Sequence, residues 1–190
     1  MIIDTLRVIG DLVENILSEI TQTKRLCYEC VKDFIDAALW LFPIYVRDPK
    51  MTHELFSFFH VVFDVLKSQM GANNVQEAIR IFLSVFDKDQ LRAAIEGGAA
   101  SGGGAAGNGA GNRVVEKFLG ILEFVVKEPN STFRQFIPQT IELCLQHVYP
   151  LVAEVRTNCT SFPINFDIMK LIWDLRYGFS GFIFLLSRQS

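Results

Sequence analysis

The chain has 190 residues, half of them apolar and 17 of them phenylalanine, so it can bury a substantial core and lacks the composition of a disordered chain. Its 18 lysines and arginines are balanced by 21 aspartates and glutamates and form no basic stripe, which argues against nucleic acid as a partner. The longest apolar runs lie near 34–46 and 177–187. Both are shorter than the roughly 18 residues that a membrane-spanning helix needs, so no membrane insertion is expected.

Two features of the sequence indicate a reducing compartment. The opening residues, 1–4, have neither the basic region nor the small-residue cleavage site of a signal peptide. The cysteines are too few for a disulfide framework in a chain that can build a core without them. They are Cys27, Cys30, Cys144 and Cys159.

The first two predicted helices follow from apolar residues that recur at steps of three and four. The first apolar stripe consists of Ile2, Leu6, Ile9, Val13, Ile16 and Ile20. The second helix is expected from about 24 to 42, with an apolar stripe of Cys27, Cys30, Phe34, Ala38 and Leu41. Pro43 should end this helix, because proline lacks a backbone donor and disfavours helical geometry in the residue before it.

The next three helices are predicted from start and stop signals. Asp48 is an N-cap residue followed by proline at the first helical position, and Gly71 is a typical C-terminal stop for this third helix. Asn74 opens a pattern similar to a capping box and should cap a fourth helix. Asp87 should cap a short fifth helix that ends near residue 96.

Residues 97–112 contain only glycine, alanine, serine and asparagine. None of these side chains can anchor a core, so we expect a flexible surface loop. A phosphate-binding glycine loop would need a preceding strand and a following Lys-Ser or Lys-Thr pair, and neither is present.

Helical periodicity resumes after the loop and continues to about residue 148, with prolines at 129, 138 and 150. The tail at 155–190 has a different character, because it is weakly charged and its periodicity is poor up to about 167. After about residue 167 the tail has one apolar stripe at helical spacing, which consists of Ile168, Leu171, Ile172, Leu175 and Phe179. We therefore expect an atypical terminal segment with one helix.

The helices recur as pairs at a spacing close to the roughly 40–47 residues of HEAT repeats once the Gly/Ala loop is set aside. The pairs are expected at about 1–46, 51–96 and 113–154. Neither helix of a pair can bury its apolar stripe alone, so neighbouring pairs must stack. The predicted fold is therefore an all-α, HEAT-like α-α superhelix, or solenoid, of about three pairs. Its core should contain Phe63, Phe82 and Phe118.

No catalytic, cofactor-binding or metal-binding residues are predicted. Cys27 and Cys30 form a single CxxC on the predicted apolar stripe, so packing in the core is favoured over a metal or redox site. The histidines are at 53, 60 and 147, and no nucleophile or pair of carboxylates lies at a sequence spacing from them that is typical of a catalytic site. The sequence favours a protein–protein interaction scaffold that is not an enzyme and needs no cofactor. It does not identify the protein-binding residues.

Two long blocks of the sequence resemble exportins of the importin-β (karyopherin) superfamily. The first is ELFSFFHVVFDVLKSQMGANNVQEAIRIFLSVFDKDQL at 54–91. The second follows the loop as RVVEKFLGILEFVVKEPNSTFRQFIPQTIELCLQHVYPLVAE at 113–154. The second block is the more specific, since HEAT helices as such are generic.

The resemblance implies a segment from a late part of a nuclear export receptor, found in the nucleus and the cytoplasm because such receptors shuttle. Through the full-length receptor it implies binding of Ran-GTP and of a protein cargo, with actin–profilin as the expected cargo. Two alternatives stay open at this point. They are a HEAT scaffold of another system, such as trafficking or a phosphatase, and a small helical carrier of apolar ligands.

The resemblance ends at Glu154. The codons for Glu154-Val155-Arg156 can contain a splice-donor consensus, which suggests that 155–190 is translated intron or the end of a short isoform. A solenoid normally ends in a pair with a polar outer face, whereas this tail would expose apolar surface.

Overall fold

The computed structural model describes residues 1–100, 110–127, 134–148 and 150. Every regular element in these ranges is a helix, which confirms the all-α, HEAT-like prediction. The α-helices are α1 (Ile2–Glu14), α2 (Thr21–Tyr45), α3 (Pro49–Met70), α4 (Ala72–Val85), α5 (Lys88–Ala100), α6 (Ala110–Lys127) and α7 (Ile137–Glu142). A 3₁₀ turn (Arg134–Phe136) precedes α7 and a π-helical turn (Leu143–Val148) follows it. The chain divides into two compact units, Met1–Ile121 and Leu122–Ser190.

The boundary between α1 and α2 differs from the prediction. Helix α1 ends at Glu14, and the following residues make short-range turns before α2 begins at Thr21. Ile20, which was expected on the buried stripe of the first helix, is the N-cap of α2 and is 70% exposed. The sequence offers no glycine or proline at this boundary, so the apolar periodicity concealed it.

The prediction that Pro43 ends the second helix is wrong, since α2 continues through it to Tyr45. Pro43 is exposed and lies in the last turn, so its missing N–H removes only one helical hydrogen bond. The preceding residue, Phe42, is fully buried with its ring centroid 4.8 Å from that of Phe56 and 5.0 Å from that of Phe82. This packing holds Phe42 in helical geometry against the preference that proline imposes.

The signals around α3 and α5 act as predicted. Asp48 caps α3, its carboxylate accepting hydrogen bonds from the backbone N–H groups of Lys50 and Met51 at 3.0 and 3.1 Å. Gly71 ends α3 with φ of 78°, a left-handed conformation that side chains disfavour. Asp87 caps α5 in the same way as Asp48 caps α3.

The predicted cap at Asn74 is wrong, because Gly71 is both the end of α3 and the N-cap of α4. Helix α4 thus begins at Ala72 and Asn74 lies in its first turn. The Asn74 amide donates to the Met70 carbonyl at 2.9 Å. It therefore satisfies an acceptor at the end of α3 instead of a donor at the start of α4.

The borders of the predicted Gly/Ala loop are helical. Helix α5 runs to Ala100, past the expected end near 96, and α6 begins at Ala110, before the expected 113. Both helices thus extend into the biased sequence, where alanine favours helix but Gly97, Gly98 and Gly111 disfavour it. Residues 101–109 and the tail at 151–190 lie outside the described residues.

The first unit is organised around α3, against which α1, α2 and α4 pack. Helix α1 is parallel to α3, since Arg7 pairs with Glu54 and Gly10 lies against Phe58. Helix α2 is antiparallel to α3. Its end meets the start of α3, where the Thr52 hydroxyl donates to the Tyr45 carbonyl, and its first half reaches Asn74 through Tyr28. The first helices of the two pairs, α1 and α3, are parallel, and their partner helices, α2 and α4, pack on each other. This is the arrangement of stacked HEAT pairs.

A cluster of phenylalanine rings fills the interior of this unit. Phe56 of α3 contacts the rings of Phe42, Phe82, Phe86 and Phe118, with centroids 4.8–5.6 Å apart. Phe82 of α4 contacts four rings in turn: Phe42, Phe56, Phe59 and Phe63. The prediction that Phe63, Phe82 and Phe118 are core residues is confirmed, since each is at most 1% exposed. The cluster joins α2, α3, α4 and α6 through a single set of contacts.

The described part of the second unit has a small apolar core of its own. Its buried residues are Leu122, Phe136, Ile137, Thr140, Leu143 and Cys144. Burial raises the pKa of the Cys144 thiol to about 12, so this cysteine stays protonated at neutral pH. A buried, protonated thiol is an inert packing group.

An ion pair fixes α1 against α3. The Arg7 guanidinium donates two hydrogen bonds to the Glu54 carboxylate, one from Nε at 3.0 Å and one from Nη2. Glu54 is mostly buried, with 12% of its side chain exposed, and His53 Nδ1 lies 3.9 Å from it. Hydrogen bonding to Arg7 lowers the pKa of the Glu54 carboxyl below its ordinary 4.5.

Truncation of Phe82 to alanine should lower the free energy of unfolding by roughly 3–5 kcal/mol, since it removes a fully buried ring with four aromatic neighbours. Denaturant unfolding followed by circular dichroism measures the change. Trp40→Ala is the matched control, because this large ring is 78% exposed and its loss should change stability by only about 0.5 kcal/mol. Equal losses for the two variants would contradict the placement of the core.

Glu54→Gln should destabilise the chain in a pH-dependent way. The pKa of Glu54 is lower in the folded chain than its ordinary 4.5, so its ion pair contributes full stability above that pH and loses it as the pH falls through the folded pKa. The stability difference between the parent chain and Glu54→Gln should therefore shrink as the pH falls below about 4.5. Denaturant midpoints across this range measure it, and Glu19→Gln, an exposed carboxylate in the turn before α2, controls for loss of charge alone. A difference as large well below pH 4.5 as at pH 7 would rule out this role of the pair.

Candidate protein-binding surface

The two cysteines of the CxxC are not core residues, which corrects the sequence-based expectation. Cys27 is half-buried and Cys30 is exposed, and neither forms a disulfide. The buried residues of α2 are Val31, Ile35, Ala38 and Phe42. Ala38 is buried as predicted, whereas Cys30, Phe34 and Leu41 each lie one position before a buried residue. Residues one position apart on an α-helix are about 100° apart, so these three predicted positions lie on the flank of the helix beside its buried side.

The described histidines lie in structural surroundings. His53 is half-buried beside the Glu54 ion pair, and burial lowers its pKa, so it is neutral at pH 7. His60 lies against Gly120, where an added Cβ would come within 3.1 Å of the imidazole Cδ2 atom. The side chain of His147 lies outside the described residues. Among the described side chains, no group of three His, Cys, Asp or Glu is placed to hold a metal ion.

The interior of the first unit is filled by its own side chains. Ring centroids in the phenylalanine cluster are 4.8–6.3 Å apart, which is the spacing of aromatic rings in direct contact. A carrier of apolar ligands would need that space to be open, so the packing argues against the carrier alternative. In the part of the chain that the structure describes, no helix is long and apolar enough to cross a membrane.

The chain exposes several large apolar side chains on its first two helices. Val8 and Leu12 of α1 are 64% and 51% exposed. Trp40 and Ile44 of α2 are 78% and 70% exposed, and Leu26 of α2 is 60% exposed. We call the surface formed by these five residues the outer face.

The outer face lies on the side of α1 and α2 that points away from α3. Residues two positions apart on an α-helix are separated by about 200°, so they lie on nearly opposite sides. Val8 is two positions from buried Leu6, and Trp40 is two positions from buried Ala38 and Phe42. Helices α1 and α2 also contact each other.

Charged residues form a stripe along each of these helices. On α1 the charged stripe consists of Asp4, Arg7, Asp11 and Glu14, and on α2 of Arg25, Glu29, Lys32 and Asp36. The N-terminal ammonium group lowers the pKa of the Asp4 carboxyl through a hydrogen bond of 2.8 Å. The Lys32 ammonium donates to the Glu29 carboxylate at 3.2 Å, which raises the pKa of Lys32. On α1 the exposed apolar residues are thus separate from the charged ones. On α2, exposed Asp33 lies three positions from Cys30 and four from Ala37, so a carboxylate interrupts the exposed apolar stripe.

The sequence reasoning missed the outer face because it assigned one apolar stripe to each helix. A second stripe was visible in α2, where Leu26, Cys30, Ala37 and Ile44 recur at steps of four and seven. All four residues are exposed.

Comparison with known proteins relates the chain to one kind of protein. It is 37% identical to Exportin-6 of Danio rerio over 89% of its own length and 14% of the relative's length. The corresponding values are 40%, 79% and 12% for Exportin-6 of Homo sapiens, and 26%, 90% and 16% for Exportin-6 of Dictyostelium discoideum. No family model and no solved structure matches the chain.

The alignments also bear on the tail. The residues before 155 make up about four fifths of the chain, so alignments that cover 89% and 90% of it must include part of 155–190. This overlap argues against a tail that is wholly foreign to these relatives. The chain spans about one seventh of the length of the curated relatives that it matches, and over that span it is exportin-6-like.

Proposed function

We propose that this chain is part of a nuclear export receptor that carries protein cargo out of the nucleus under the control of Ran-GTP. The observation that supports the proposal is the similarity to Exportin-6 proteins from fish, human and slime mould over most of the chain. Such a receptor shuttles between the nucleus and the cytoplasm. By the resemblance to exportins, the cargo is actin–profilin.

The fold is compatible with a binding role of this kind. The described helices pack as HEAT-like pairs, an architecture that presents long surfaces to protein partners. Cys144 is buried, His53 lies beside the Glu54 ion pair, and no group of three His, Cys, Asp or Glu among the described residues is placed to hold a metal ion. Binding energy in such a scaffold comes from helix surfaces.

A chimera tests the proposal in the setting of a whole receptor. The matching segment of Danio rerio Exportin-6 is replaced by this chain, and the chimera is produced beside the unmodified receptor and a receptor that lacks the segment. The chimera should retain Ran loaded with GTP in preference to Ran loaded with GDP. In cells depleted of the endogenous receptor, it should lower the ratio of nuclear to cytoplasmic actin, whereas the receptor without the segment should not.

The control is the same chimera with Phe82→Asp, which places a charge in the phenylalanine cluster and should abolish export through loss of folding. A chimera that elutes as a folded monomer but neither binds Ran-GTP nor lowers nuclear actin would overturn the proposal. It would leave a HEAT scaffold of another system as the better interpretation.

A further inference from the structure

We infer that a basic seam between α3 and α6 binds an acidic segment of a protein partner, and that His53 makes this binding depend on pH. The basic seam consists of Lys50 and His53 of α3 and of Arg113 and Lys117 of α6. The inference goes beyond the proposed function, because it requires neither Ran nor export.

Two contacts fix the direction of α6 relative to α3. The ring centroids of Phe56 and Phe118 are 5.3 Å apart. Four residues further along α3, His60 lies against Gly120, where an added Cβ would come within 3.1 Å of the imidazole Cδ2 atom. A step forward on α3 is thus a step forward on α6, so the two helices run in the same direction.

This parallel arrangement brings His53 next to the cations of α6. Residues seven positions apart lie on the same side of an α-helix. His53 is seven positions before His60, and Arg113 is seven positions before Gly120. His53 and Arg113 are therefore neighbours across the seam, about two turns before the contact of His60 with Gly120. Lys117 lies between Arg113 and Gly120, at steps of four and three, on the same side of α6.

The cations of the basic seam are available to a partner. Among the residues that the structure describes, no carboxylate lies within ion-pair distance of Lys50, Arg113 or Lys117. Lys50 and Arg113 are exposed, and Lys117 is half-buried. The nearby Glu54 carboxylate is already paired with Arg7. The seam therefore presents positive charge that the chain itself does not balance by ion pairs.

The imidazole of His53 lies among charges of both signs. Its side chain is 25% exposed, and burial is the main reason that its pKa lies below its ordinary 6.5. Glu54 and Glu116 raise this pKa, whereas Lys117 and Arg113 lower it. Positive charge and burial together keep His53 neutral in the free chain at pH 7.

A bound carboxylate changes this balance. A negative charge near an imidazole favours its protonated form, so the pKa of His53 should be higher in the complex than in the free chain. Binding then takes up a proton. The affinity should increase as the pH falls through the pKa of the complex, and it should level off below the pKa of the free chain, which is under 6.5.

The number of cations indicates the class of partner. Nucleic-acid binding depends on a row of cations that neutralises successive phosphates. The basic seam has three cations that are charged at neutral pH, and Glu116 lies beside them. A short run of aspartate or glutamate side chains matches this small, mixed surface better than a phosphate backbone does.

Fluorescence anisotropy of a labelled oligo-aspartate peptide measures binding to the whole chain. Arg113→Glu combined with Lys117→Glu should weaken binding by about tenfold or more, because it replaces attraction by repulsion at the seam. Lys24→Glu combined with Arg25→Glu is the matched control. It makes the same change of charge on α2, also at one exposed and one half-buried position, and should weaken binding by less than about twofold.

Circular dichroism checks that the variants are folded. If the charge reversal on α6 unfolds the chain, Arg113→Gln combined with Lys117→Gln takes its place, with Lys24→Gln and Arg25→Gln as the control. The neutral pair on α6 should still weaken binding by more than its control does.

The contribution of His53 is tested by repeating the titration at about pH 7.5 and about pH 5.5, where aspartate side chains remain ionised. The parent chain should bind more tightly at the lower pH, by up to about threefold for each half unit by which the peptide raises the pKa of His53. His53→Gln should abolish this difference and retain binding at pH 7.5, where His53 is neutral in the free chain.

Four results would overturn the inference. They are no binding of the peptide by the folded parent chain, equal losses for the α6 variant and its α2 control, a pH dependence that persists in His53→Gln, and tighter binding of a labelled single-stranded RNA than of the peptide at the same salt concentration. The last result would assign the seam to nucleic acid. None of these readouts involves export, so failure here is distinct from failure of the proposed function.

Discussion

The first unit depends on the contact between Phe56 and Phe82, whose ring centroids are 5.6 Å apart. One ring belongs to α3 and the other to α4, and each gathers three further rings around it. Aromatic pairs contribute about 0.5–1.5 kcal/mol each beyond the burial of their area. A cluster with this many edge-to-face pairs is also directional, so it selects one arrangement of the helices among those that would bury similar area.

This cluster explains departures from local preference elsewhere in the unit. Phe42 remains helical although proline follows it, because its ring is held between Phe56 and Phe82. The middle of α6 is held by the same cluster, since Phe118 lies against Phe56 and Phe86. Helix positions that local sequence leaves open are thus decided by tertiary packing.

The sequence was informative where a signal depends on one residue and its immediate neighbours. Asp48 and Asp87 cap helices as expected, and Gly71 ends α3, because each acts through its own backbone or side-chain geometry. The core residues Phe63, Phe82 and Phe118 were also correct, since large apolar side chains at helical spacing are rarely exposed together.

The sequence was less informative where the same spacing of apolar residues fits two different structures. Apolar residues continue at helical spacing beyond Glu14, where α1 ends, so the turn that follows could not be recognised from the sequence. Ala38 was correctly assigned to the buried stripe of α2, but Cys30, Phe34 and Leu41 were assigned one position too early, because that helix carries two apolar stripes and periodicity does not say which one is buried. The outer face could not be recognised for the same reason. Only the position of α3 shows which stripe is covered.

The single residue between α3 and α4 has a mechanical consequence. Gly71 is at once the last cap of one helix and the first cap of the next, so these two helices meet at a corner without slack. The connection from α1 to α2 has six residues, and that from α2 to α3 has three, Val46 to Asp48. The one-residue connection therefore limits the angles available between α3 and α4, and the contact between Phe56 and Phe82 fixes one of them.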